Sequence, residues 1–341
     1  MDFKQTYSFD DVLLVPKYSQ IESRSQIDIS SALSSNIKLS LPVISSPMDT
    51  VTEDSMAIAI GNAGGLGIIH RYNSIDEQAC LVKNSFPSRS HVAAAVGATG
   101  DFLERAKELE SAGASVICID IAHGHHILMR TALKKLRNVL NTKTHVMAGN
   151  VATLEAFEDL ASWGADSIRV GIGGGSICST RIVTGHGMPT FQSILECSRT
   201  TYEVKIIADG GIKNTGDMVK AFAAGADFVM VGSILAGTKE TPGETFLGQG
   251  DKKYKVYRGM ASSAAQKSWR GKSSTPEGVS TTVPYRGSAT NLFKDISGGI
   301  RSGLSYSGCT NLKEFRSKST FIIQSNAAQL ESNTHILWRN K

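Results

Sequence analysis

Eight short apolar runs set the limits on what this chain can fold into. They are Leu41-Pro42-Val43-Ile44-Ser45, Leu66-Gly67-Ile68-Ile69-His70, Val92-Ala93-Ala94-Ala95-Val96, Val116-Ile117-Cys118-Ile119-Asp120, His145-Val146-Met147-Ala148-Gly149, Ile168-Arg169-Val170-Gly171, Lys205-Ile206-Ile207-Ala208-Asp209 and Phe228-Val229-Met230-Val231-Gly232. They recur roughly 22 to 40 residues apart. Between them lie helical patterns: 53–62 with Met56, Ile58 and Ile60, 102–111, 128–140 with Leu133, Leu136 and Leu140, and 217–224. A run without alternation is a strand buried on both faces, and helices between such strands make a parallel sheet. Eight units within about 200 residues predict an α/β fold, a closed (β/α)8 TIM barrel. The alternative is an open doubly wound sheet. Its GxGxxG fingerprint after the first strand is missing.

Two regions fall outside the repeat. Residues 1–40 form an N-terminal arm containing Phe9-Asp10-Asp11-Val12-Leu13-Leu14. Residues 238–287 form a long flap excursion after strand eight, of a length that usually marks a lid or binding element. The expected organisation is one catalytic barrel domain over 1–341, with no regulatory domain inserted between strands.

Composition narrows the class of ligand. The net charge is +5, and the basic residues are scattered rather than clustered. That suits small anions, and nucleic acid is not an expected partner. Cys80, Cys118, Cys178, Cys197 and Cys309 are odd in number and widely spaced, which argues for a reducing compartment. Met1-Asp2-Phe3-Lys4 opens no basic-then-apolar leader, and no apolar run reaches 18 residues. A cytoplasmic location, away from membranes, is expected.

A parallel barrel carries its site at the C-terminal strand ends. The residues there are Ser46 to Asp49, His70, Asp120, His123, Asn150, Gly171 to Cys178, Asp209 to Gly211, Gly232 and Ser233. Gly210-Gly211 after strand seven and Gly232-Ser233 after strand eight occupy the two loops where barrels bind phosphate through backbone N–H groups. Ser176 offers a third donor. Taken singly, either glycine pair is equally well a tight turn; together they predict phosphate. Asp209 beside that site suits the two hydroxyls of a ribose, with a turn-capping carboxylate as the bland reading. Phosphate and diol together indicate a nucleotide.

Cys178 closes the Gly-rich stretch Gly171-Ile172-Gly173-Gly174-Gly175-Ser176-Ile177-Cys178. Most cysteines are buried and inert, and Cys118 inside a strand fits that pattern. Cys178 instead has N–H donors and Arg181 nearby in sequence, surroundings that favour a thiolate nucleophile. His123-Gly124-His125-His126 has no carboxylate at liganding spacing, so a catalytic metal is not expected. Glu277, alone in its loop, reads first as a solvated charge, and Trp269-Arg270 is ambiguous.

These residues carry a resemblance. Phe9-Asp10-Asp11-Val12-Leu13-Leu14, Ser46-Pro47-Met48-Asp49-Thr50-Val51, Ala148-Gly149-Asn150-Val151, Gly171 to Thr180, Ala208-Asp209-Gly210-Gly211-Ile212 and Tyr257-Arg258-Gly259-Met260 resemble the IMP dehydrogenase and GMP reductase family. The resemblance covers nearly the whole chain. It implies a (β/α)8 barrel, a homotetramer, and binding of a purine 5'-monophosphate and a nicotinamide dinucleotide. By the same resemblance Cys178 attacks purine C2, with Thr180 beside it. Ser176, Gly211, Gly232, Ser233 and Tyr257 hold phosphate, Asp209 holds the ribose, and Gly259, Met260 and Glu277 meet the base. Ser46 and Met48 belong to the substrate set. Asp120, Asn150 and Gly173 lie near the nicotinamide. The resemblance also raises a monovalent cation, K+, at Gly173, Gly175 and Cys178.

The resemblance implies two activities. The dehydrogenase oxidises IMP with NAD and hydrolyses the adduct, using an Arg-Tyr pair in its flap to activate water. The reductase releases ammonia from GMP and then takes hydride from NADPH, with Thr180 and Glu277 assisting. Residues 261–276 hold no Arg-Tyr pair: Gly271 follows Arg270. Ser23-Arg24-Ser25 and Lys220-Ala221-Phe222 look like the reductase. Met48 to Glu53, Pro284-Tyr285-Arg286-Gly287 and the tail Leu330-Glu331-Ser332-Asn333 look like the dehydrogenase. Gly174 stands where the family usually has Pro, which predicts a more flexible Cys loop. GMP reductase with NADPH is the leading expectation, and IMP dehydrogenase with NAD the alternative. A flavin-dependent barrel oxidoreductase and a non-catalytic nucleotide-binding protein are the readings from other classes.

Overall fold

The computed structural model describes residues 3–86, 91–332 and 334. Met1 and Asp2, read above for a leader, and Asn333 of the tail motif lie outside them. The eight apolar runs become eight parallel strands: β1 (Val43–Ser45), β2 (Leu66–Ile69), β3 (Ala93–Val96), β4 (Val116–Asp120), β5 (His145–Val151), β6 (Ser167–Val170), β7 (Lys205–Asp209) and β8 (Phe228–Val231). Each pairs with its neighbours in sequence, and β8 pairs β1 through Val229↔Val43 and Val231↔Ser45, which closes the barrel. The open-sheet alternative is thereby excluded.

Closure explains why the runs carry no polar face. Ile44, Leu66, Ile68, Ala93, Ala95, Val116, Cys118, Met147, Ile207, Phe228 and Met230 form the inner core. The residues between them, such as Ala94, Ile117, Val146, Ile168 and Val229, pack with the helices outside. Both faces are dry, so period two carries no polarity contrast. The arm adds a small hairpin, Ser31–Ala32 with Lys38–Leu39, whose Leu33, Ile37 and Leu39 join the inner core. They share that cluster with Leu66, Val116 and Phe228, the first residues of their strands, so the hairpin plugs the N-terminal mouth. The C-terminal mouth is left for the site.

Earlier in the arm, Val12–Leu14 pairs antiparallel with Phe321–Ile323. Phe9 packs edge-on against Phe191 at 5.7 Å, and Phe191 against Phe321 at 5.0 Å. The excursion after β8 is ordered. It forms an antiparallel sheet of Phe246–Leu247, Lys253–Arg258 and Ser280–Pro284, with a flap helix, Ser263–Arg270, between the last two strands. Lys255 fastens this sheet to the start of the excursion. Its buried ammonium donates to the carbonyls of Thr238, Lys239 and Thr241. Among the described residues, no helix is long and apolar enough to cross a membrane.

Candidate active site at the C-terminal mouth

A cleft of about 710 Å³ opens at the C-terminal strand ends. Ser46, Met48, Asp120, Asn150, Gly173, Gly175, Ser176, Cys178, Thr180, Asp209, Gly211, Gly232, Ser233, Tyr257, Gly259, Met260 and Glu277 all line it. The structure therefore brings the whole expected set into one cavity, from loops spread over more than two hundred residues.

One end of the cleft is built from the two glycine loops. A Cβ on Gly232 would stand 3.2 Å from Met48 Sδ, 3.3 Å from Ser46 Oγ and 3.4 Å from Tyr257 Oη. Ser176 Oγ lies 3.3 Å from Tyr257 Oη. Hydroxyls and bare backbone thus converge on a volume that only a glycine leaves open. Burial raises the Tyr257 phenol above its ordinary value, which keeps it a neutral donor. Gly211 adopts φ 77°, the left-handed region that a residue with a side chain avoids.

The middle of the cleft is the Cys loop. Cys178 Sγ lies 3.1 Å from Thr180 Oγ1, and the Cys178 amide donates to Gly175 O at 3.1 Å. The far end of the excursion runs directly against this loop. Val279 N donates to Ile177 O (3.0 Å), Ser179 N to Glu277 O (3.0 Å), and Gly259 N to Val279 O (3.0 Å). The Cys loop, residues 258–262 and residues 277–279 are thus one hydrogen-bonded strip. This strip holds the Glu277 backbone at the cleft wall, where the residue lines the cavity.

One expectation about the loop needs correction. Arg181 does not serve the thiol: its Nη2 donates to Met188 O at 2.7 Å, and its stem packs over Gly173 and Gly187. Gly174 has a close neighbour. A Cβ there would lie 2.6 Å from Thr190 Oγ1, so Thr190 already fills the space a larger residue would take. Cys118 behaves as read. It is buried, and burial pushes its thiol up to about 12.

Sequence reading missed Arg169. It occupies an inward position of β6, with Ser167 two residues before it, while Ile168 and Val170 join the outer core. Arg169 is 6 % exposed. Its Nη1 donates to Asp120 Oδ1 at 2.6 Å, and its Nε and Nη2 to Asp209 Oδ2 at 3.2 and 2.9 Å. Burial works against the cation, but the two carboxylates outweigh it and hold the guanidinium well above its ordinary value. Asn150 Nδ2 also donates to Asp209 Oδ2 (2.8 Å) and to Gly171 O (2.9 Å). The available signal was a lone arginine at an inward position of a strand with two dry faces, since such a charge requires a partner.

The outer end of the cleft is lined by Arg71, Tyr72, Gln266, Arg270, Ser274 and Thr275. Tyr72 stacks on Trp269 of the flap helix, with centroids 5.7 Å apart and planes at 12°. Its hydroxyl donates to Met260 O at 2.9 Å, and burial raises its pKa. Arg71 Nη2 donates to Asp120 O at 3.2 Å. The ambiguous Trp269 is thus a latch between flap and barrel. In the histidine cluster, His125 Nε2 meets Asp159 Oδ2 at 2.8 Å, a carboxylate that sequence spacing did not reveal. His126 caps a helix through Leu128 N. Among the described residues, no group of three metal-ligating side chains comes together.

Comparison with known proteins gives a consistent picture. The profile of the IMP dehydrogenase / GMP reductase domain matches residues 6–335. Inosine-5'-monophosphate dehydrogenase of Cryptosporidium parvum is 38% identical over 383 residues, covering 96% of this chain and 94% of that one. GMP reductase of Leishmania major is 32% identical over 474 residues, covering 96% of each. A crystal structure of a Cys-to-Ala variant of GMP reductase from Trypanosoma brucei, in complex with guanosine 5'-monophosphate, superposes with a TM-score of 0.92 at 29% identity, covering 98% of both chains.

Proposed function

The chain belongs to the IMP dehydrogenase / GMP reductase family, and we propose that it is a GMP reductase, converting GMP, NADPH and two protons to IMP, NADP+ and ammonium. As a family member it is an NAD(P)-dependent oxidoreductase acting on a purine 5'-monophosphate.

In this reading the cleft divides by chemistry. Ser176, Gly211, Gly232, Ser233 and Tyr257 hold the 5'-phosphate with neutral donors, and Asp209 accepts the ribose hydroxyls. Ser46 and Met48 pack beside them, and Gly259, Met260 and Glu277 meet the base. The Cys178 thiolate adds to purine C2. The C2–N bond then breaks, and ammonia leaves with a proton relayed through Thr180 and Glu277, which share the hydrogen-bonded strip. Hydride from the dinucleotide, placed near Asp120, Asn150 and Gly173, reaches C2. The C2–S bond breaks, releasing IMP and restoring the thiolate.

The observation that supports the reductase reading is how the Arg-Tyr pair found in the cleft among the described residues is engaged. Hydrolysis of the adduct, the dehydrogenase step, requires a base for water, the part the resemblance gives to an Arg-Tyr pair in the flap. The Arg-Tyr pair that lines the cleft is Arg71-Tyr72, and both are committed. The Tyr72 phenol donates to Met260 O with its pKa raised by burial, and Arg71 is held by Asp120. Arg270 on the outer wall suits the extra phosphate of NADPH. IMP dehydrogenase, with NAD, remains the second reading, favoured by relatives of that name at 34% and 38% identity.

A K+ ion at Gly173, Gly175 and Cys178 belongs to the same proposal. Backbone carbonyls are hard donors suited to such a cation, and the Gly175 carbonyl, which accepts the Cys178 amide, retains a second lone pair. So do a homotetramer and a cytoplasmic location; light scattering on the purified protein tests the first. The decisive assay offers GMP with NADPH and, separately, IMP with NAD, following nicotinamide absorbance. Turnover in the first supports the reductase, and turnover only in the second sinks it.

A further inference from the structure

Near the mouth of the barrel two carboxylates face each other, with one buried cation between them. Asp120 and Asp209 sit at the ends of β4 and β7, and Arg169 reaches them from β6. Two carboxylates bound to one side chain repel each other without that counter-charge. The guanidinium divides its donors: Nη1 goes to Asp120 Oδ1, while Nε and Nη2 go to a single oxygen, Asp209 Oδ2. Asn150 Nδ2 adds a further donor to that oxygen. Among the described residues no donor reaches Asp209 Oδ1, the oxygen left to accept a ligand. An ammonium has no fork and cannot satisfy two carboxylates in fixed directions.

We propose that Arg169 is a positioning residue for both ligands: it turns the free oxygen of Asp209 toward the nucleotide ribose and sets Asp120 toward the dinucleotide. The inference rests on the purine-nucleotide reading of the cleft, but not on the direction of the reaction.

The surroundings define what its removal does. Facing Arg169 are Asp120 and Cys118 from β4, Asp209 from β7 and the neutral Asn150 from β5. The Cys118 thiol, pushed up by burial, stays uncharged. Beyond them Arg71 approaches Asp120 at 3.8 Å, and the Tyr72 and Tyr257 phenols lie near Asp120 and Asp209. Without Arg169, Asp120 keeps a distant cation and Asp209 keeps only an amide. Asp209 is then free to turn, and its Oδ1 no longer keeps one direction toward a ligand.

The test is calorimetric titration of the full chain with GMP and with IMP, for wild type, R169K, R169Q and R169Q/D209N. R169Q should weaken nucleotide binding about 30-fold at neutral pH. Adding D209N should then cost little more, at most about threefold, because the carboxylate is already misdirected. R169K should recover part of the affinity. A cooperatively melting R169Q that binds within about threefold of wild type overturns the proposal, as does an R169Q/D209N that loses a further tenfold or more. Should R169Q fail to fold, R169K carries the same test: a weakened affinity in a cooperatively melting protein supports the proposal, and wild-type affinity overturns it. If wild type binds neither GMP nor IMP, the nucleotide reading itself falls, and this inference with it.

Discussion

The thiol of Cys178 and the hydroxyl of Thr180 lie 3.1 Å apart, with Thr180 opening the short helix Thr180–Thr184 that follows the Cys loop. The hydroxyl stands where it can receive or deliver the proton that a thiol must lose and a leaving amine must gain. Thr180→Val is expected to lower turnover about 100-fold while leaving nucleotide affinity within about threefold. Cys178→Ala should abolish turnover and still bind nucleotide. Steady-state kinetics beside calorimetry separates the two effects, and a fully active Cys178→Ala would refute covalent catalysis.

The Tyr72–Trp269 stack joins the barrel to the flap helix at the outer end of the cleft. An offset aromatic pair is worth about 0.5–1.5 kcal/mol beyond its buried area. Trp269→Ala should therefore raise the dinucleotide KM about three- to tenfold, with nucleotide affinity unchanged. Trp269→Phe, which keeps a stacking ring, should restore most of it. Equal loss for both ligands would mean that the stack holds the fold rather than the flap.

Gly232 offers a sharper steric test. Its missing side chain leaves a volume ringed by Ser46, Met48 and Tyr257 at 3.2–3.4 Å. Gly232→Val should fill it and weaken 5'-monophosphate binding by about 2 kcal/mol, roughly 30-fold. Binding of the nucleoside without phosphate should change little. If both ligands lose equally, this end of the cleft does not hold the phosphate.

Acid stability has one identifiable contributor at the opposite end of the barrel. His145 begins β5, is 2 % exposed, and lies 2.8 Å from Ser167 Oγ through Nε2. Burial lowers its pKa to about 4, against a partial opposing pull from Asp166. Below about pH 6.5 the unfolded chain binds a proton that the folded chain refuses, so stability falls as pH drops from there toward 4. The full effect is about 3 kcal/mol. Denaturant unfolding at pH 7 and at pH 4.5 should show the loss, and His145→Gln should flatten it. An unchanged slope in that variant would assign the acid sensitivity to other groups.

The strands were legible because each is a continuous apolar run bounded by glycine or a polar residue. A strand with two dry faces leaves that trace wherever it sits. The catalytic loop was legible because four glycines, three hydroxyls and a cysteine fall within ten residues, at a strand end. The excursion was visible as a long break in the repeat, yet its sheet and its hydrogen bonding to the Cys loop were not. Those pairings, such as Val279 with Ile177, span about a hundred residues, and chain spacing does not encode them.

The sequence by itself determined the barrel and the chemistry available at its mouth: propensity, burial periodicity and glycine placement are local properties, written in consecutive residues. Only the tertiary structure decided which charges meet. Arg169 finds acids 49 and 40 residues away because barrel closure and register turn inward positions of β4, β6 and β7 toward one point. Tyr72 and Trp269 meet because the flap folds back across the mouth. Directions across a barrel follow from its closure and strand stagger, which exist only once all eight strands are paired.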